Sequence, residues 1–176
     1  MRPLVATALL FVGLAAALPA LAGDPEPFVR DCSTSQYGDL GRGWRERAVV
    51  AGPVAFVGMR DGYASGGPLP LKVLVVVEPR RVATVTIGVR SRAYAALGYN
   101  GIRHSGGGRI PLSRGTRSVR FQACGVVMSR EPWNRGSQFG GYFLVSGRRC
   151  IDVEIASGGK ILRRALRFGV ARCAAS

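Results

Sequence analysis

Runs of β-branched and aromatic residues, separated by glycine- and proline-rich turns, recur along the chain from Trp44 onwards. The segment Val82–Val89 alternates cleanly, with Val85 and Ile87 on one side and threonines on the other, which is typical of a half-buried strand. The segment Lys72–Glu78 is instead an almost unbroken apolar run, and it predicts a strand that is buried on both faces.

Several further short segments have strand character, and glycine turns separate them. The other predicted strands are Ala48–Ala51, Val54–Gly58, Val119–Cys124, Tyr142–Ser146, Ile151–Ile155 and Leu162–Val170. The apolar residues of the last strand share one face, which Arg164 interrupts. The segment Arg90–Leu97 is compatible with a helical turn and with a strand. The pattern predicts an all-β fold, an antiparallel β-sandwich of immunoglobulin-like size, with a small β-barrel as the alternative.

The N-terminus has the pattern of a secretory signal peptide. Arg2 precedes an apolar run, Leu4–Leu18, and the small-residue triplet Ala20–Ala22 provides a cleavage site. A retained anchor is the alternative, but a membrane span takes about 20 apolar residues. We therefore expect no membrane span after cleavage. The predicted divisions are a signal peptide (residues 1–22), a flexible lead-in (23–43) and a single β-sandwich domain (44–176).

The four cysteines, Cys32, Cys124, Cys150 and Cys173, all follow the predicted signal peptide. An even number of cysteines in an exported chain predicts two disulfides, and four cysteines allow three pairings. We expect Cys124–Cys150 to join adjacent elements and Cys32–Cys173 to join the two ends of the domain. Because no Cys-x-x-Cys pair or Cys/His cluster is present, we expect neither a metal nor a cofactor.

Glycines, aromatic residues and cysteines follow one another in a characteristic order. The segments are Gly52-Pro53-x-Ala55-Phe56-x-Gly58, the run Lys72–Val77, Phe121-x-Ala123-Cys124, Phe139-x-Gly141-x-Phe143-x-Val145-x-Gly147-x-x-Cys150 and Phe168-Gly169-x-x-x-Cys173. This order resembles that of a group of uncharacterised secreted proteins from GC-rich Gram-positive (actinobacterial) genomes, and the resemblance covers Trp44 to Cys173. The resemblance implies a fold and an extracellular location, and it implies no activity.

Basic residues outnumber acidic residues by 25 to 10, and only Lys72 and Lys160 are lysines. Removing the predicted signal peptide removes one basic residue, so the mature charge is 24 minus 10, or +14. Such a chain is attracted to anionic polymers, and arginine pairs well with carboxylates and phosphates. Compositional bias of a GC-rich genome is the alternative explanation. Because the chain is exported, we expect no nucleic acid among its partners.

The predicted binding residues are six arginines near the cysteines and in the last strand, together with one tryptophan in a polar loop. They are Arg117, Arg120, Arg148, Arg149, Arg163, Arg167 and Trp133. If the last strand lies beside the strand that ends at Cys124, the outward arginines of the two strands form one basic face.

Two features suggest catalysis, and neither predicts a catalytic residue. His104 is the only histidine and lies in a glycine-rich loop without a nucleophile motif. Asp152 and Glu154 share one face of a strand, and glycoside hydrolysis uses a pair of carboxylates. That face is more simply the solvent side, where the carboxylates pair with arginines of the next strand.

The sequence therefore favours a secreted, non-enzymatic binding or structural module at the cell envelope, associated with the cell wall. The expected partner is an anionic envelope polymer or an envelope protein. A secreted hydrolase with an unrecognised site and a cationic secreted effector or inhibitor are the alternatives.

Overall fold

Two five-stranded β-sheets pack face to face in the computed structural model, which describes residues 25–36, 38–59, 70–103, 110–125 and 136–173. The predicted all-β sandwich with two disulfides is confirmed. The strands are, in chain order, β1 (Phe28–Arg30), β2 (Ala48–Ala51), β3 (Val54–Val57), β4 (Leu71–Val77), β5 (Val82–Ile87), β6 (Ala95–Leu97), β7 (Ser118–Gln122), β8 (Ser137–Val145), β9 (Arg149–Ser157) and β10 (Lys160–Phe168). Four single 3₁₀ turns connect them, Cys32–Thr34, Arg45–Arg47, Val89–Ser91 and Leu112–Arg114.

The first sheet has the strand order β1-β7-β5-β9-β10. Its centre is β5, where Thr84 lies opposite both Arg120 of β7 and Ala156 of β9. All neighbours are antiparallel except β1 and β7, which are parallel. The nine residues of β10 pair with the nine of β9 along their whole length. Within the part of the chain that the structure describes, no strand pairs with the other edge of β10.

The second sheet has the order β2-β3-β4-β8-β6, and all its neighbours are antiparallel. The central strand β4 is buried on both faces, as its apolar run predicts. Val73 and Val75 belong to the main core between the sheets, whereas Val76 packs on the other face with Trp44. This second, smaller cluster explains why the apolar residues of β4 do not alternate with polar ones.

Aromatic side chains fill the middle of the main core. The ring of Tyr99 lies edge-on to Phe121, with centroids 5.3 Å apart, and to Phe143, at 6.4 Å. Its hydroxyl donates a hydrogen bond of 2.9 Å to the carbonyl of Val73, so the polar end of a fully buried side chain is satisfied. Each buried large apolar side chain contributes roughly 1.5–3 kcal/mol, which makes this cluster a main source of stability.

The disulfide pairing differs from the expected one. The bonds join Cys32 to Cys124 and Cys150 to Cys173, with Cα–Cα distances of 5.1 and 5.7 Å. The expected bond between Cys124 and Cys150 is wrong for two reasons. First, β5 lies between the strands β7 and β9. Second, the two cysteines lie beyond opposite ends of β5, which is about 20 Å long. The expected Cys32–Cys173 bond is excluded by the same pairing. Two disulfides indicate an oxidising, extracellular environment.

The chain before Trp44 contributes to the sandwich, contrary to the expected flexible lead-in over residues 23–43. β1 pairs with β7, Cys32 is bonded to Cys124, and Gln36 forms a bridge with Gln138 of the second sheet. This segment, residues 28–36, therefore contacts both sheets. The sandwich begins at β1 and not at the predicted boundary.

Candidate interaction surface

The strand β10 carries four basic residues among its nine and no acidic residue. Its hairpin with β9 turns at Gly158 and Gly159, which both have positive φ angles, +56° and +75°. Positive φ at both central residues defines a type I′ turn, and its twist matches that of the flanking strands. The turn fixes the register, in which Lys160 lies opposite Ser157 and Arg163 opposite Glu154.

The register also determines which way each side chain of β10 points. Leu162, Arg164 and Leu166 lie opposite Ile155, Val153 and Ile151, which are buried in the core, and therefore belong to the inner face of the sheet. Leu166 is buried, but Arg164 is exposed because it lies at the open edge. The predicted interruption of the apolar face by Arg164 is thus confirmed.

The outer face of the strand presents Ile161, Arg163, Ala165 and Arg167, which are all exposed. Three further basic residues lie beside the strand. Arg90 lies near Asp152 of β9, and Arg148 donates a hydrogen bond from its Nε to the carbonyl of Gly169, just after β10. Arg172 belongs to the segment after β10, next to the disulfide-bonded Cys173. We call this set the basic strip. Its members are Arg90, Arg148, Lys160, Arg163, Arg164, Arg167 and Arg172.

Two carboxylates on β9 partly neutralise the basic strip. Arg163 donates a hydrogen bond of 2.8 Å to Glu154, and Arg90 lies 3.8 Å from Asp152. The predicted pairing of Glu154 with an arginine on the next strand is therefore confirmed. Seven basic residues minus two acidic ones leave a net charge of +5 at this edge. A depression of about 350 Å³ lies between Arg90 and Arg164, with both carboxylates in its wall.

A second depression, of about 460 Å³, adjoins the N-terminal end of β10. Ile155, Ile161 and Leu162 provide its apolar wall, and Lys160 and Glu78 stand at its rim. Ile161 is 66% exposed, which is unusual for a side chain of this size on a strand. The basic strip therefore ends in an apolar surface.

The predicted basic face that joins two strands does not form. Arg120 points to the outer face of the first sheet, as Arg163 does, but β5 and β9 separate β7 from β10. Three strand spacings amount to about 14 Å, and Glu154 lies between the two arginines. The basic residues of β10 and the exposed Arg120 of β7 therefore belong to separate parts of the surface.

Two other predicted binding residues, Arg117 and Arg149, make contacts within the fold and lie outside the basic strip. Arg117 donates a hydrogen bond to the carbonyl of Arg92. The guanidinium of Arg149 lies 4.3 Å from the centroid of the Tyr94 ring, a cation–π contact. Arg148, Arg163 and Arg167 also donate hydrogen bonds within the fold, to Gly169, Glu154 and Ala171, but these three predicted residues lie along β10 or beside it. Trp133 lies outside the described residues, and so does His104.

Sequence reasoning did not select Arg90, Lys160 and Arg172 as binding residues. The signal that could have found Lys160 and Arg172 is the count of basic residues in and after the last strand. Arg90 is 62 residues before Asp152 in sequence, so only the pairing of Gly88 with Asp152 brings it to the strip.

The described part of the chain contains no group of three His, Cys, Asp or Glu side chains that could hold a metal ion. Within the same residues, no helix has the length and apolar character needed to cross a membrane. Comparison of the chain with protein-family models, with curated proteins and with solved structures finds no match.

Proposed function

We propose that the protein is a secreted, non-enzymatic binding module that attaches to an anionic component of the cell envelope through the basic strip. The observation that supports this function is the last strand of the first sheet, which carries four exposed basic residues and no acidic one. Guanidinium groups form paired hydrogen bonds with carboxylates and phosphates, the anionic groups of envelope polymers and proteins.

The arrangement of charge supports a defined contact rather than general solubility. The net charge of +5 at this edge is about a third of the +14 expected after removal of the predicted signal peptide. The segment after β10 and the Cys150–Cys173 bond hold its C-terminal end in place, since Arg167 donates to the carbonyl of Ala171. A fixed edge presents its charges in a constant spacing, which reduces the entropy lost on binding.

Co-sedimentation with isolated Gram-positive envelope tests this function. The variant Arg163→Gln/Arg164→Gln/Arg167→Gln removes three charges from the strip. Three lost contacts at roughly 0.5 kcal/mol each weaken binding about tenfold. The matched control is Arg42→Gln/Arg103→Gln/Arg114→Gln, which removes three exposed charges elsewhere and is expected to change affinity less than twofold.

Both variants are first compared with the unmodified protein by circular dichroism and thermal unfolding. Binding is then measured at low and high salt, because screening weakens contacts between exposed charges. Equal losses in the two variants would mean that net charge alone attracts the protein, and would refute a binding function of the strip.

A further inference from the structure

We propose that the basic strip binds an acidic, extended segment of an envelope protein, which adds to β10 as a sixth strand of the first sheet. This inference rests on the proposed function and names its partner: a polypeptide and not a non-peptide polymer. The partner donates and accepts backbone hydrogen bonds along the open edge of β10, and its acidic side chains face the arginines.

The hairpin determines which backbone groups of β10 remain for a partner. In a hairpin closed by a two-residue type I′ turn, the residues that flank the turn form a hydrogen-bonded pair, and such pairs then alternate along the ladder. Lys160, Leu162 and Arg164 therefore bond to β9. The N–H and C=O groups of Ile161, Arg163 and Ala165 point away from β9, toward the open edge.

The side chains around these groups select for negative charge. A strand added at this edge places its side chains about 5 Å from those of β10, within reach of ion pairs. Arg163 lies on the outer face, where its side chain is 80% exposed although it is paired with Glu154, and Arg164 lies on the inner face. Acidic residues are therefore favoured on both sides of the added strand. A second copy of the same strand is disfavoured, because antiparallel pairing about Arg164 sets arginine against arginine.

The apolar surface at the Ile161 end of the strip adds a second requirement for the sequence of the partner segment. Near Ile161 the added strand passes the depression of about 460 Å³ that Ile155 and Leu162 line. An aliphatic side chain placed there covers exposed apolar surface. The expected partner segment therefore combines acidic residues over Arg163 and Arg164 with one aliphatic residue at the Ile161 end.

The first experiment compares two capped peptides by isothermal titration calorimetry. Each is a run of consecutive glutamates, which places carboxylates on both faces of an extended strand, with one valine for the Ile161 end. They have the same sequence, but one is N-methylated at every second backbone nitrogen, which removes donors without changing the charge. We expect the unmodified peptide to bind at least tenfold more tightly, since three lost hydrogen bonds contribute roughly 0.5–1.5 kcal/mol each. Equal affinities would overturn strand addition.

The second experiment changes the protein. Ala165→Pro removes an N–H that points to the open edge and is not bonded to β9, and edge strands tolerate proline at such positions. We expect it to lose peptide binding at least fivefold, while the matched variant Ala165→Ser, which keeps the N–H, binds as the unmodified protein does. Hydrogen exchange adds a readout on the unmodified protein: the amides of Ile161, Arg163 and Ala165 are expected to gain protection when peptide binds.

Inorganic polyphosphate separates this inference from the proposed function, because it is anionic and has no peptide backbone. If polyphosphate binds as well as the peptide, and Ala165→Pro leaves both unchanged, the basic strip binds anions but strand addition is refuted. If neither probe binds and Arg163→Gln/Arg164→Gln/Arg167→Gln changes nothing, the proposed function itself fails.

Discussion

Gly141 of β8 is the residue on which the aromatic core depends most closely. A Cβ atom at this position would lie 2.2 Å from Cδ1 of Tyr99, far inside van der Waals contact. Tyr99 cannot retreat easily, because its hydroxyl is bonded to Val73 and its ring lies between Phe121 and Phe143. The glycine allows the ring to lie directly on the backbone of β8.

We expect Gly141→Ala to destabilise the protein by about 3 kcal/mol, through overpacking and the strained or lost Tyr99 hydrogen bond. The neighbouring Gly140 is the matched control, because the nearest atom to an added Cβ there is 4.0 Å away. Gly140→Ala is expected to change the free energy of unfolding by less than about 0.5 kcal/mol. Urea unfolding of the two variants checks this, and similar losses would contradict the role of Tyr99.

Asp31 makes the N-terminal segment sensitive to acid. Its carboxylate accepts hydrogen bonds from the Ser33 hydroxyl, at 2.6 Å, and from the Ser33 amide, at 3.0 Å. These bonds, that of the hydroxyl above all, lower the pKa of Asp31 below its usual value of 3.8. A lowered folded-state pKa means that the carboxylate stabilises the fold above the unfolded-state pKa and loses this effect as pH falls through the folded-state pKa.

The melting temperature of Asp31→Asn should therefore lie below that of the unmodified protein at pH 7, with a difference that narrows as pH falls below about 4. Thermal unfolding from pH 7 to pH 2.5 measures the difference. Glu26→Gln, an exposed change outside this turn, is the control. A difference that stays constant over the whole range would show that the charge of Asp31 does not stabilise the turn.

Residue patterns predicted some of these positions and not others. The exposed charge of Arg164 on an apolar face could be read from the sequence, because strand alternation is local. The contact of Arg149 with Tyr94 could not, since it joins the start of β9 to a turn residue that is distant in sequence. The close approach of Tyr99 to Gly141 likewise depends on how the two segments meet in space.

At the scale of elements, the segment of residues 28–36 connects the two sheets at the β7 side of the sandwich. Arg30 donates from its guanidinium to the carbonyl of Tyr99, at 2.8 Å, and to both the hydroxyl and the carbonyl of Thr34. Burial lowers the pKa of Arg30, but arginine stays charged at any physiological pH. These bonds join β1 to the chain beside β6, and the Cys32–Cys124 disulfide fixes the same segment to β7.

The two disulfides should contribute unequally to stability. Cys32–Cys124 spans 92 residues and Cys150–Cys173 spans 23. Chain entropy assigns about 4.6 kcal/mol to the first and about 3.4 kcal/mol to the second. We expect Cys32→Ser/Cys124→Ser to unfold at lower urea than Cys150→Ser/Cys173→Ser, each compared with the unmodified oxidised protein. The reverse order would mean that native contacts, and not loop length, determine the effect.

Element prediction found the strands of four or more residues, and it missed or left ambiguous the three-residue strands β1 and β6. The apolar run of β4 and the alternation of β5 and β9 identified those strands. The ambiguous segment Arg90–Leu97 contains parts of both predicted structures, the end of a 3₁₀ turn and the strand β6. β1, with three residues, was missed because its pairing with β7 is a tertiary contact.

At the scale of the whole molecule, sheet order determines what the sequence could not. The expected Cys124–Cys150 disulfide assumed that β7 and β9 are neighbours, and the expected basic face assumed that β7 and β10 are neighbours. Local pattern does not specify which strands are adjacent, and the insertion of β5 and β9 between β7 and β10 overturned both expectations. The basic residues of β10 could be read from the sequence, but their separation from Arg120 and the position of Arg90 beside them follow only from the topology.

The pairing of the two ends of the chain in one sheet also affects when the protein can fold. The first sheet contains β1 and β10, and its central strand β5 needs β9 as a neighbour. The second sheet needs β8, which pairs with both β4 and β6. The second sheet therefore cannot form before residue 145 has been synthesised, and β5 lacks its neighbour β9 until residue 157 has been synthesised. Non-local pairing of this kind is slow, so strands made early wait unpaired for strands made late. An unpaired chain is the state in which a polypeptide can pass through a narrow translocation channel.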